Sequence, residues 1–252
     1  MSTRKYLCRR DPIDDRDIRY RATAPILDIP PSIDLSAVSF MPSVMNQGPL
    51  GSCTSQAIAN CYLFVHRKEG KVEPDFIPSR LFIYFNERSM EGTIDQDAGA
   101  VIRDGFKSIN QFGVCHESLC PYLVESFTQR PSNEAFSDAL NYQALVYKRI
   151  ENTLTEMKGC LTEGYPFVVG ITIYEAFEGQ DVAHTGIVPM PAGQCLGGHA
   201  VLVVGYDDTK QQFKVMNSWG EEWGDHGYFY LPYDYLTNSE LANDLWTLRV
   251  VE

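Results

Sequence analysis

Gln47-Gly48-Pro49-Leu50-Gly51-Ser52-Cys53-Thr54 leads into a run in which Ala57, Ile58, Cys61, Phe64 and Val65 recur at helical spacing. The spacing predicts a helix from Cys53 to about Lys68, ended by Gly70. Cys53 then lies at the mouth of that helix. A helix N-terminus carries partial positive charge from its unpaired N–H groups, and this charge favours thiolate over thiol. Gly48 and Gly51 let the backbone turn tightly and approach another group closely. Gln47 brings a side-chain amide donor to the same neighbourhood. Nucleophile, dipole and donor are three parts of an acyl-transfer site, and the base has to come from elsewhere.

Upstream, residues 29–46 contain Pro30-Pro31 and Pro42 and read as an extended approach to the cysteine. Residues 1–28 are rich in Arg and Asp and have no periodicity. They read as an N-terminal arm: a disordered tail, a short pro-segment, or a strap lying on the body of the protein through Tyr6, Leu7, Ile18 and Tyr20. Downstream, a second helix is expected from Ser79, just after Pro78, and a third over about residues 98–112, ended by Gly113. Beyond a polar loop at about 125–142 the pattern becomes strand-like. Strands are expected at 142–150, 167–173, 200–206, 213–216, 228–231 and 246–250, with a short helix around Leu154, Met157 and Leu161. A helical half followed by a β half implies an α+β fold of two lobes. The expected boundaries are about 47–125 for the helical lobe and about 126–252 for the β-rich lobe, with the site in the cleft between them.

The base is then sought among five histidines. His199 differs from the others. It opens a long apolar strand directly after Gly197-Gly198, and the end of a rigid element facing a cleft is a suitable mount for a base. Asn217-Ser218-Trp219-Gly220 follows the next strand. The Asn217 amide oxygen can accept from one ring nitrogen of His199 and fix its tautomer while the other nitrogen faces the thiol. Trp219 can cover that bond. The bland reading of each residue alone is structural: a satisfied histidine, a polar turn with a core tryptophan, buried thiols at Cys61 and Cys160.

The chain of 252 residues is long enough for one large domain or two small lobes. Its 44% hydrophobic and 21% charged residues are those of a soluble globular protein. A net charge of -12 argues against a nucleic-acid partner and an anionic membrane surface. No run approaches the roughly 18 apolar residues of a transmembrane helix, and the charged N-terminus has no signal-peptide core. The expected location is cytoplasmic or virion-associated, or outside the cell after export without a signal peptide. Seven cysteines lack zinc-type CxxC pairs. Cys195 with His199, and Cys115-His116 with Cys120, lack the remaining ligands of a metal site, so neither metal nor cofactor is expected.

These residues resemble those of the papain family of cysteine peptidases. Leu50-Gly51-Ser52-Cys53-Thr54 corresponds to the nucleophile block, and His199 falls within the family's window of about 130–150 residues downstream. Asn217 lies a little beyond it. Gly197-Gly198-His199-Ala200-Val201 and Asn217-Ser218-Trp219-Gly220-x-x-Trp223-Gly224-x-x-Gly227-Tyr228 are similar to family blocks, as are Gly113-Val114 and Pro121-Tyr122. The resemblance spans about residues 29–252 and is nearest to a compact microbial or viral branch. It implies a papain-like fold and a cysteine endopeptidase acting on polypeptides, expected as a monomer. It implies Cys53 as nucleophile, His199 as general base and then acid, Asn217 as orienter, and Gln47 with the Cys53 N–H as oxyanion donors. Substrate-binding positions implied are Gly99, Ala100, Gly198 and Trp219. An isopeptidase or acyl-transferase using the same triad, and a non-catalytic peptide binder, are the alternatives. Three departures stand out. Leu50 replaces a disulfide-forming cysteine, which agrees with a reducing compartment. Thr54 replaces an aromatic residue. The arm is too short for a helical pro-domain, so inhibition would need a simpler device, such as the arm lying in the cleft. No His-His motif supports trimming of C-termini.

Overall fold

The Cys53–Lys68 run forms α1 with those bounds. The structure is a computed structural model, and it describes residues 4–23, 29–71, 73 and 75–251. Residues 1–3 and 24–28 of the expected arm lie outside the described residues. Every residue of α1 from Cys53 to His66 is buried. A helix buried on all faces is a core helix, and α1 packs on both the sheet and the neighbouring helices. The Ser52 side chain does not cap it and no acidic residue occupies its first turn. The positive end of its dipole is therefore left uncompensated beside Cys53.

Helix α2 (Arg80–Met90) starts where expected, with Ser79 Oγ accepting from the Phe82 N–H at 3.1 Å. Helix α3 (Ile102–Gln111) starts four residues later than the periodicity suggested. Residues 98–101 stay out of the helix because their backbone groups bond to other elements. The Gly99 N–H donates to Tyr84 OH at 3.2 Å and the Val101 N–H to Glu91 Oε1 at 2.8 Å. The expected polar loop contains a short helix α4 (Asn133–Ala139), capped by Ser132 and buried through Ala135 and Ala139.

The β half forms one antiparallel sheet around β4 (Cys195–Asp207). Its strands are β1 (Ser32–Asp34), β2 (Ala144–Ile150), β3 (Phe167–Tyr174), β5 (Gln212–Met216), β6 (Tyr228–Pro232) and β7 (Ala242–Val251), in the order β2-β7-β3-β4-β5-β6. Strand β1 continues the β3 edge of β4, pairing Ile33 with Tyr206. The approach to Cys53 thus begins on the sheet before the chain enters the helices. Helix α5 (Leu154–Thr162) matches the expected short helix, and α6 (Gln180–Thr185) and α7 (Tyr233–Thr237) are small additions between strands. His199 lies inside β4, paired with Ile171, rather than at its start, because pairing with β3 extends back to Cys195.

Residues 4–23 lie along the body rather than free of it. The Cys8 N–H donates to Gly198 O at 3.0 Å, the Gly198 N–H to Tyr6 O at 3.2 Å and the Arg9 N–H to Ala100 O at 3.1 Å. Asp11 is the next anchor. It accepts from the Arg103 N–H at 3.0 Å and from Trp246 Nε1 at 2.8 Å, and it pairs with Arg149 at 3.1 Å. Arg103 also pairs with Asp17 at 2.6 Å. Tyr20 is buried against the Arg249 guanidinium. Ile18 does not anchor through its side chain, which is 62% exposed; its carbonyl accepts from the Arg149 N–H at 2.8 Å.

Candidate active site

The residues singled out in the sequence converge where the N-terminus of α1 meets β4 and the turn after β5. Cys53 and His199 are both buried. His199 Nε2 bonds to Asn217 Oδ1 at 2.8 Å. The amide oxygen only accepts, so Nε2 carries the proton and Nδ1 has its lone pair free. Nδ1 makes no hydrogen bond within ordinary distance and angle limits. The His199 ring nonetheless lies close enough to Cys53 to favour its thiolate.

Asn217 is held in turn. Its Oδ1 also accepts from the Ser218 N–H at 2.8 Å. Trp219 stacks on the His199 ring, centroids 5.0 Å apart and planes 22° apart, and so covers the His199–Asn217 bond. Trp223 packs edge-on against Trp219 at 4.7 Å. The tryptophans of the second block therefore form a wall that keeps water from the imidazole.

Gln47 is buried beside this group. Its Nε2 donates to Leu50 O at 2.9 Å, and its Oε1 accepts from Ser218 Oγ at 2.6 Å. The second Nε2 hydrogen is left for another acceptor. Asp97 fixes the turn before the cysteine, accepting from the Gly51 N–H at 3.0 Å and from Tyr84 OH at 2.6 Å.

The Cys53 thiol is held well below its ordinary pKa. The largest cause is a hydrogen bond from the Cys8 thiol; His199 adds to it, and burial opposes it. Cys8 is pushed up by the same bond and by burial. Thr54, in place of an aromatic residue, donates its hydroxyl at 2.8 Å to Glu87. Glu87 is buried under the start of α1, and burial pushes its carboxyl well above the ordinary range.

Of the expected substrate positions, Ala100 and Gly198 bond to the arm, Gly99 is overlain by Leu7, and Trp219 lies under the Arg4 guanidinium at 4.0 Å. Sequence reasoning missed Cys8, Ser218 and Glu87. The odd cysteine in a charged arm was a signal for the first; nothing in the local pattern announced the others.

The sequence profile of the papain family of cysteine proteases matches residues 29–247. A peptidase C1-like protein of Acanthamoeba polyphaga mimivirus is 42% identical over 231 residues, covering 86% of this chain and 74% of the viral protein. A cathepsin B-like protein of Giardia intestinalis is 26% identical over 238 residues, covering 85% of this chain and 73% of its own. The crystal structure of xylellain, a cysteine protease from Xylella fastidiosa, superposes with a TM-score of 0.93 at 37% identity, covering 100% of this chain and 98% of that one. The papain-like α+β fold and the ordered blocks around Cys53, His199 and Asn217 thus have one source: this chain belongs to the papain family and is a cysteine-type peptidase, a hydrolase of polypeptides.

Proposed function

We propose that Cys53 is the nucleophile of this endopeptidase, His199 its base and acid, Asn217 its orienter, and Gln47 an oxyanion donor. The observation that carries this is the 2.8 Å His199–Asn217 bond, which commits Nε2 and leaves Nδ1 for Cys53. The sulfur attacks the scissile carbonyl carbon as thiolate, with imidazolium beside it. Charge then develops on the carbonyl oxygen, where the Gln47 amide and the Cys53 N–H at the helix mouth stabilise it. His199 gives the Nδ1 proton to the leaving amine, and a thioester with Cys53 remains. Water, deprotonated by Nδ1, attacks the thioester; the product carboxylate leaves and the thiolate returns.

Gly99, Ala100 and Gly198 would bind an extended substrate through backbone groups. Support comes from the arm, which already pairs with Ala100 and Gly198 as an extended peptide would. We therefore assign residues 1–28 to an inhibitory arm and 29–252 to the peptidase unit, and substrate entry requires Tyr6–Arg9 to move. A reducing compartment fits this reading, because the described cysteines are all free.

The test uses the reduced full chain as wild type, Cys53→Ala and His199→Ala on an unfolded protein substrate, with mass followed over time. Both variants should lose hydrolysis, and an epoxide-type thiol reagent should label Cys53 in the wild type. Full activity in Cys53→Ala would sink the assignment. Loss of the arm in the wild type alone would mean self-processing; an intact and active chain would mean that the arm opens without cleavage.

A further inference from the structure

The arm carries a group that no step of peptide hydrolysis uses. Cys8 is pinned on both sides. Its own N–H donates to Gly198 O at 3.0 Å, and the next N–H, that of Arg9, donates to Ala100 O at 3.1 Å. A backbone held at two successive peptides delivers the side chain between them to a fixed place beside Gly198, the neighbour of His199, and there the Cys8 and Cys53 thiols perturb each other. Other thiols are not poised in this way. Burial pushes Cys61 up to about 12 and Cys160 to about 11, so both stay protonated and inert. Among the described residues, Cys53, a thiol held low, thus sits with a second thiol carried on the arm.

Building on the assignment of Cys53 as nucleophile, we propose that Cys8 is a resolving cysteine. Oxidation of Cys53 is captured as a Cys8–Cys53 disulfide that locks the arm over the site, and reduction reopens it. The oxidant is a hydroperoxide. The Cys53 thiolate attacks the terminal peroxide oxygen; the O–O bond breaks, an alcohol or water leaves with a proton from solvent, and Cys53 becomes a sulfenic acid. The Cys8 sulfur then attacks the Cys53 sulfur. The S–O bond breaks, the Cys8 proton joins the departing hydroxide, and water is released. Two electrons pass from two thiols to one peroxide. A dithiol reverses the change, reducing the cystine to two thiols while becoming a disulfide itself.

The hydrogen bond explains the order of these steps. Cys8 stays protonated while it donates to a thiolate. Once Cys53 is a neutral sulfenic acid that bond loses its charge, and Cys8 returns towards an ordinary, reactive thiol. Capture at this stage protects Cys53 from the irreversible acids further along the oxidation series.

The experiment treats the reduced full chain with hydrogen peroxide, as wild type, Cys8→Ser and Cys8→Ala. A non-reducing peptide map is made, and activity is read before and after dithiothreitol. In the wild type, the peptide holding residue 8 should be linked to that holding residue 53. Activity should fall below about a tenth and return almost fully with the reductant. In both variants Cys53 should reach sulfinic and sulfonic acid, with no recovery. Titration of the thiolate absorbance adds a second readout. Cys8→Ala should raise the Cys53 pKa relative to Cys8→Ser, which still donates. Oxidised Cys53 with no link to Cys8, or equal recovery in the variants, overturns the inference. Reduced wild type that neither hydrolyses peptide nor takes the epoxide label overturns the nucleophile assignment instead.

Discussion

Ser218 donates its hydroxyl to Gln47 Oε1 at 2.6 Å, and the Gln47 backbone N–H donates to Ser218 O at 2.9 Å. The expected oxyanion donor is therefore tied to the residue that follows Asn217, the proposed orienter of His199. With Oε1 taken by Ser218 and Nε2 on Leu50 O, the amide has one flip state, and that state keeps an N–H free.

Ser218→Ala should loosen this amide without deleting it. Oxyanion donors act in the transition state, so the loss should appear in kcat with KM nearly unchanged. Removing such a donor costs about 100-fold, so Gln47→Ala should fall that far and Ser218→Ala by about tenfold. The double variant should be no worse than Gln47→Ala alone, because the hydroxyl acts through the amide. Steady-state kinetics of the four proteins decide it; multiplicative losses would mean independent roles.

Asp11 predicts a pH dependence for arm docking. Burial and the neighbouring Asp244 carboxylate push it up to about 6 from an ordinary 3.8, against the pull of the Arg103 N–H, Trp246 and Arg149. Asp17 also faces Arg149, at 3.4 Å. The docked group binds more protons than the released one between these values. Docking is therefore strongest below about 4, weakens as pH rises, and has lost this contribution above about 6, by roughly 3 kcal/mol at most. Asp11 and Asp244 titrate as a pair, so the midpoint belongs to both. Hydrogen exchange of the arm should be faster at neutral pH than at pH about 4.5. Asp11→Asn, which mimics the protonated acid, should flatten the difference. An arm equally protected at both values would remove Asp11 from this role.

Leu50 shows how the fold does without a disulfide beside the nucleophile. It is buried with Leu81 and Tyr84, and Cys120, Tyr122, Val124 and Phe127 pack against the same cluster. Leu50→Ala deletes buried methyl groups from a site closed by large rings, which costs about 3 kcal/mol. Urea unfolding should report that loss, and the midpoint of the reduced wild type should not move with added reductant. A loss below about 1 kcal/mol would mean that the loop collapses to fill the space.

The parts of this structure that could be read beforehand are those written in periodicity. The bounds of α1 and, to within a residue, the strands expected at 167–173 and 213–216 follow from apolar spacing, which is a local property. The early start assigned to α3 failed because Gly99 and Val101 give their N–H groups to Tyr84 and Glu91, partners no window contains. Helix α4 was hidden because only Ala135 and Ala139, small and four apart, mark its buried face. Cys53, His199 and Asn217 stand out because the chemistry proposed for them restricts residue type at those points. Ser218 and Cys8 do not, since their meaning lies in which distant atom they meet.

Gly198 supplies a way to free the arm near Cys53 while leaving the Asp11 anchor in place. A Cβ on Gly198 would lie 2.1 Å from Cys8 O, a backbone atom that cannot swing aside as a side-chain tip can. Gly99 is less suitable, because its φ of 66° would strain any other residue there, whereas Gly198 is not in the left-handed region. Gly198→Ala should therefore lift Tyr6–Cys8 off β4 and break the two hydrogen bonds that Gly198 makes with the arm, one from the Cys8 N–H and one to Tyr6 O. Overpacking of this kind costs about 1–3 kcal/mol, which corresponds to an arm opened about tenfold or more often. Because Gly198 is also an expected substrate position, hydrolysis is the wrong readout. Alkylation of Cys8 by a small reagent, located by peptide mapping, reports arm opening directly. It should accelerate about tenfold in Gly198→Ala, with exchange at Asp11 unchanged. Unchanged Cys8 labelling would mean that β4 yields instead of the arm.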